Sequence, residues 1–137
     1  MRAAYAVAPQ GADVQRDRVE SLAPSWPVGA HGVALLEAWV TAPTQRWLEG
    51  SRDTLRLWKR RLVALCEDLG WRCEPSVANF FCARPGAHDV PALCASLRDH
   101  GIKLRDTASF GLPGQVRVSV LAPSSQDALR SAVAALR

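Results

Sequence analysis

Residues 44–69 constrain the fold more than any other stretch. Within them Trp47, Ser51, Leu55, Trp58, Leu62, Leu65 and Leu69 recur at steps of three and four. That spacing draws one largely apolar stripe along a helix of about seven turns. Pro43 stands just before the stripe and Gly70 just after it, as helix start and stop signals should. The other face carries Arg46, Arg52, Arg56, Lys59, Arg60 and Glu67. Such a face could touch nucleic acid, but a solvated helix surface is its commoner use. A helix with a single apolar stripe must lay it on a partner layer, and the rest of the chain has to supply one.

After Gly70 the periodicity drops towards two. Residues 71–74 and 79–84 predict a pair of strands joined by a turn at Pro75 and Ser76, and Pro85 and Gly86 close the second. Asp89 is placed to cap a helix over 90–100 whose stripe is Val90, Leu93, Cys94 and Leu97, with Gly101 at its end. A strand over 102–105, a loop DTASFGLPG, a strand over 116–120 and a final helix from Pro123 complete the series. Upstream, residues 3–8 suggest an apolar strand that begins abruptly, and 11–22 a weak helix. The nearly unbroken apolar run 28–40 predicts a helix buried on most sides or packed against another chain. The expected class is α+β: a small three- to four-stranded mixed or antiparallel sheet covered by helices, one of them long.

Composition narrows the function classes. The chain has 137 residues, 48% of them hydrophobic and 22% charged, which suits one globular domain. A net charge of +4 is too mild an excess to point to nucleic acid. No apolar run reaches the length of a membrane span and no leader sequence stands out, so a cytoplasmic protein without a membrane partner is expected. Cys66, Cys73, Cys82 and Cys94 are separated by six, eight and eleven residues, which is not zinc spacing, and reduced thiols are expected. His31, His88 and His100 have no partner at metal-ligand spacing, so no metal site is expected. No phosphate-loop, dinucleotide, nucleophile-elbow or zinc-protease motif is present.

Arginines on the short strands carry the most chemistry. In 116–120, Val116, Val118 and Val120 face one way and Arg117 and Ser119 the other. An Arg in mid-strand suits planar capture of a carboxylate. Lys103 and Arg105 likewise share a face, opposite Ile102 and Leu104. Two strands thus each offer a guanidinium beside a glycine-rich loop. An anion site and a half-solvated sheet face both fit this pattern.

The segment RDTASFGLPGQVRVSV at 105–120 resembles the closing signature of the histidinol-phosphate aminotransferases and their relatives. PSVANFF at 75–81 resembles the family's strand-pair motif, and PSWPVGAHGVALLEAW at 24–39 and MRAAYAVA at 1–8 its earlier segments. The resemblance covers almost the whole chain, in order. It implies the C-terminal small domain of a pyridoxal 5'-phosphate (PLP) enzyme over 28–137, including a long connecting helix 44–69, with 1–27 as a residual large-domain strand and connecting segment. It also implies that Arg117 grips the substrate carboxylate, that Arg105 lies at the distal or phosphate end, and that Arg2 meets the cofactor phosphate.

The departures from the family matter as much. The only lysines are Lys59 and Lys103, and neither has the family's Ser-x-x-Lys context. No Schiff-base lysine is therefore expected here, nor cofactor on this chain alone. The expected partners are an amino-acid or amino-phosphate substrate, a missing large domain and, at full length, a second copy. Transamination and decarboxylation of threonine phosphate in cobalamin synthesis are both compatible with the arginines. A non-catalytic binding or dimerisation module, suggested by Trp26, Trp39 and Trp47, is the alternative from another class.

Overall fold

A computed structural model describes residues 3–86 and 88–136. The chain forms two compact units, Met1–Gly50 and Ser51–Arg137. The first contains helices α1 (Asp13–Ser21) and α2 (Ala30–Trp39) and the start of α3 (Ala42–Asp68). The second adds strands β1 (Arg72–Cys73) and β2 (Phe80–Arg84), helix α4 (Val90–Asp99), strand β3 (Arg105–Asp106), a single 3-10 turn at Ala108–Phe110, strand β4 (Val116–Ser119) and helix α5 (Pro123–Ala135).

The sheet order is β1-β2-β4-β3, and every pairing is antiparallel. β4 is flanked on both sides: Cys82 and Arg105 both stand opposite Arg117. The expected α+β class is the one observed, in its antiparallel form. One sheet face is apolar, with Phe81, Ala83, Val116 and Val118 buried. These residues join Leu62, Leu65 and Cys66 of α3, Leu93 and Leu97 of α4, and Leu129 and Val133 of α5 in one core. The stripe of α3 packs on this core from Leu55 to Leu69, whereas Trp47 is exposed.

The helix ends follow the punctuation of the sequence. Gly70 has φ +81°, the Gly70 N–H donates to Glu67 O and the Trp71 N–H to Cys66 O. Gly101 closes α4 in the same way, with its N–H on Arg98 O and the Ile102 N–H on Leu97 O. Both are Schellman closures, in which only glycine takes the left-handed position without strain. The Asp89 carboxylate accepts from the Ala92 N–H, a cap that contributes about 1 kcal/mol.

Three segments depart from the sequence expectation. The strand expected over 102–105 begins only at Arg105, because Ile102 is used in closing α4. No strand forms over 3–8: a strand exists by pairing its N–H and C=O groups, and no described residue pairs with that backbone. Of the two expectations for α2, burial on most sides is not met by the described residues of this chain; packing against another chain is the other. Gly32 is its one buried residue, and Val33, Leu35 and Trp39 are exposed, since burial needs a covering layer and not merely an apolar sequence.

Two polar ties brace the second unit. The Lys59 Nζ donates to the carbonyls of Ser76 and Ala78, fastening α3 to the β1–β2 loop. Buried Gln126 donates from Nε2 to Trp58 O and Leu121 O and accepts from Arg61 on Oε1. A buried amide with all its groups paired specifies how α5 meets α3. Replacing Lys59 by Met removes both loop donors, so amide exchange at Ala78 is expected to rise while α4 and α5 amides stay protected.

All four cysteines are free thiols. Burial, and next the neighbouring Cys73 thiol, pushes the Cys66 pKa from 9.0 up to about 12. The unfolded thiol ionises first, so this contribution is complete below about pH 9 and is lost as pH rises toward 12. Urea midpoints measured at pH 8 and pH 10.5 are expected to fall, and Cys66→Ala to show a shallower fall from a lower starting stability.

Candidate functional site: two arginines on the open sheet face

The period-two alternation that buries Val116 and Val118 sends Arg117 to the opposite, uncovered face of the sheet. β2 alternates in step, so Phe80, Cys82 and Arg84 share that face while Phe81 and Ala83 enter the core. The register sets Arg105 directly across from Arg117. Residues so paired have Cα atoms about 4.5–5.5 Å apart. Like charges directly opposite one another destabilise a sheet. Among the described residues neither guanidinium has a carboxylate partner. Glu74, at the end of β1, pairs instead with Arg72 at 3.4 Å.

Each guanidinium lies over an aromatic ring. Arg117 lies over the Phe80 ring, 5.1 Å from its centroid. Arg105 lies over the Phe110 ring at 5.2 Å and donates to Ser109 Oγ at 3.4 Å. A guanidinium lying on a ring face can still direct N–H groups at an anion in its own plane.

The loops that mount these rings are internally braced. In the β1–β2 loop, Ser76 Oγ donates to Phe80 O at 2.6 Å and accepts from the Ala78 N–H at 3.1 Å. The Val120 N–H meets Asn79 O at 2.9 Å. In the loop after β3, Asp106 Oδ1 accepts from the Ala108 N–H at 2.8 Å. Buried Thr107 directs its hydroxyl at Leu112 O, 2.7 Å away, and at Gln115 O, 3.0 Å away. Gly111 at φ +75° and Gly114 at φ +74° make the turns that bring the chain back into β4.

Of the residues singled out in the sequence, Arg105 and Arg117 are brought together. Arg2 lies outside the described residues. His31 and His88 are exposed, and the His100 ring meets Ser96 O at 2.9 Å at the end of α4. Phe80 and Phe110 were not foreseen as site residues. The available signals were the phenylalanine in each quoted motif and the alternation that parts Phe80 from Phe81.

Among the described residues neither lysine stands in a setting that fits a PLP holder. Lys59 spends its ammonium on two backbone carbonyls. Lys103 is exposed at a largely apolar cavity walled by Leu62, Leu104, Val118 and Leu129, and among the described residues no guanidinium lines that cavity to meet a phosphate.

Comparison with known proteins gives a consistent family. The profile of aminotransferase class I and II matches residues 1–136. Histidinol-phosphate aminotransferase 2 of Burkholderia mallei is 34% identical over 93 residues, covering 68% of this chain and 25% of the relative. The chain thus spans about a quarter of that relative's length. Among solved structures, a decarboxylase from Sulfurospirillum multivorans shares the fold with TM-score 0.79 at 18% identity, over 90% of this chain and 36% of that one. L-threonine-O-3-phosphate decarboxylase from Porphyromonas gingivalis shares it with TM-score 0.60 at 22% identity, over 88% and 38%. On the profile match across nearly its entire length, the chain belongs to the class I and II aminotransferase family.

Proposed function

We propose that the open sheet face is the substrate-anion clamp of a PLP-dependent aminotransferase. Arg117 takes an α-carboxylate, and Arg105 takes a phosphate or other distal anionic group. The observation that carries this reading is the placement of the two arginines directly opposite each other without a carboxylate partner among the described residues. An anion relieves the repulsion between them and fills donors that water otherwise fills. A guanidinium offers a carboxylate two parallel N–H bonds, which fixes orientation as well as position.

The clamp's task is to bind and orient. Gripping an amino acid at its α-carboxylate leaves its amino group pointing along a set direction. A second anionic contact at Arg105 fixes the substrate's long axis. Such two-point holding converts binding energy into alignment at the reacting carbon. A transaminase needs this for both of its partners, an amino acid with a carboxylate and, in the histidinol-phosphate branch, an amine with a phosphate. The lysine that would hold the cofactor is not among the residues that build this face.

Titrating the 137-residue chain with O-phospho-L-serine, followed by arginine side-chain NMR, tests the clamp. Binding is expected to weaken about tenfold in Arg117→Ala and in Arg105→Ala, as loss of a charge-assisted contact implies. Equal affinity of both variants and the parent chain rejects the clamp. Incubation with PLP followed by borohydride is expected to leave Lys59 and Lys103 unmodified by mass spectrometry. A specific reduced adduct at either lysine would show that the cofactor assignment is wrong.

A further inference from the structure

The geometry points to Phe80 and Phe110 as positioning residues that hold the two guanidiniums in separate, preformed anion subsites. This rests on the clamp reading and adds to it a cause for the clamp's shape. Two cations rooted opposite each other on neighbouring strands repel, and long arginine side chains have ample freedom to swing away into water. Each instead lies on a phenyl ring, at 5.1 Å for Arg117 on Phe80 and 5.2 Å for Arg105 on Phe110. The two rings come from different neighbours of β4, one from β2 and the other from the turn that follows β3. Phe80 sits on β2, opposite Ser119 and two residues along the strand from Cys82, the partner of Arg117. Phe110 ends the 3-10 turn beyond β3.

The surrounding bonds serve to aim those rings. Around Phe80, its own carbonyl is held by Ser76, the preceding Asn79 carbonyl by Val120, and the loop carbonyls of Ser76 and Ala78 by Lys59. Around Phe110, its N–H donates to Thr107 O at 2.9 Å, and the Thr107 hydroxyl closes the loop behind it. Phe80 is 38% exposed and Phe110 57%. Neither belongs to the core cluster, yet each loop makes several hydrogen bonds that present one. Presenting an aromatic ring partly to solvent is explained by what lies on it, a guanidinium whose rotamers it restricts before any anion arrives.

The subsites are separable. Phe80 with Arg117 forms one and Phe110 with Arg105 and Ser109 the other, with no ring shared between them. Removing one ring loosens one guanidinium and leaves the other in place.

Arginine Nε–Hε resonances of the unliganded 137-residue chain test this directly. In the parent chain, ring currents are expected to displace the resonances of Arg117 and Arg105. Phe80→Leu should move only the Arg117 signal towards its free value, and Phe110→Leu only that of Arg105. Phe80→Tyr and Phe110→Tyr should keep the displaced positions. Phosphoserine affinity should fall about two- to fivefold in each Leu variant and recover in each Tyr variant, the range an exposed cation–π contact supports. Backbone amide spectra establish that the Leu variants stay folded. Unmoved arginine signals in the Leu variants overturn the positioning role, whatever the chain binds. Moved signals with unchanged affinity overturn it as well, since the rings then hold the arginines without serving the clamp. If the signals move but the parent chain binds no phosphoserine, the clamp reading falls and takes the subsites with it. If the arginine variants lose binding while the Leu variants keep both signal and affinity, the clamp stands and the rings are idle.

Discussion

The structure turns on β4, four residues whose two faces have opposite fates. Val116 and Val118 are buried at 0% and 2% exposure, while Arg117 between them is exposed. β4 pairs with β2 on one edge and β3 on the other, so its backbone groups are satisfied laterally and its side chains divide cleanly. A one-residue slip would drive Arg117 into the core and the valines into water, a change that costs several kcal/mol on both counts. The register that places Arg117 opposite Arg105 is therefore fixed by apolar burial on the far face and not by the arginines, whose mutual repulsion opposes it.

Helices on one face and arginines on the other amount to a division of labour. α3, α4 and α5 meet the sheet through leucines, valines and cysteines, with Gln126 as the polar pin between α3 and α5. The uncovered face keeps its cations in water, where their desolvation cost is small and an incoming anion can reach them. Lys59 links the two sides. It springs from the helical layer and fastens the loop that presents Phe80.

Most of the second unit was legible in the sequence. The α3 stripe, the glycine stops at Gly70 and Gly101, the Asp89 cap and the alternation through β4 all act locally, and local rules recovered them. Arg105 and Arg117 could be assigned to an exposed face because an alternating strand leaves a charged residue nowhere else to go. The departures arose where burial or pairing depends on what stands alongside. Residues 3–8 and α2 are apolar enough for a strand and a buried helix, yet among the described residues the former find no pairing partner and the latter little cover. The β3 boundary moved because a Schellman closure claimed Ile102 first.

Over the second unit the sequence by itself determined the element types and the identity of the core face, and over the whole chain the family, since periodicity, capping residues and motif order are properties of the chain read along its length. The tertiary structure alone decided that Arg105 and Arg117 are direct neighbours, that each lies on a phenyl ring, and that Lys59 is consumed by backbone carbonyls. Those facts depend on strand register and on contacts between residues 5 to 37 positions apart in sequence. Periodicity shows which way a side chain faces. Only the pairing of strands, driven by burial on the opposite face, shows what it faces alongside.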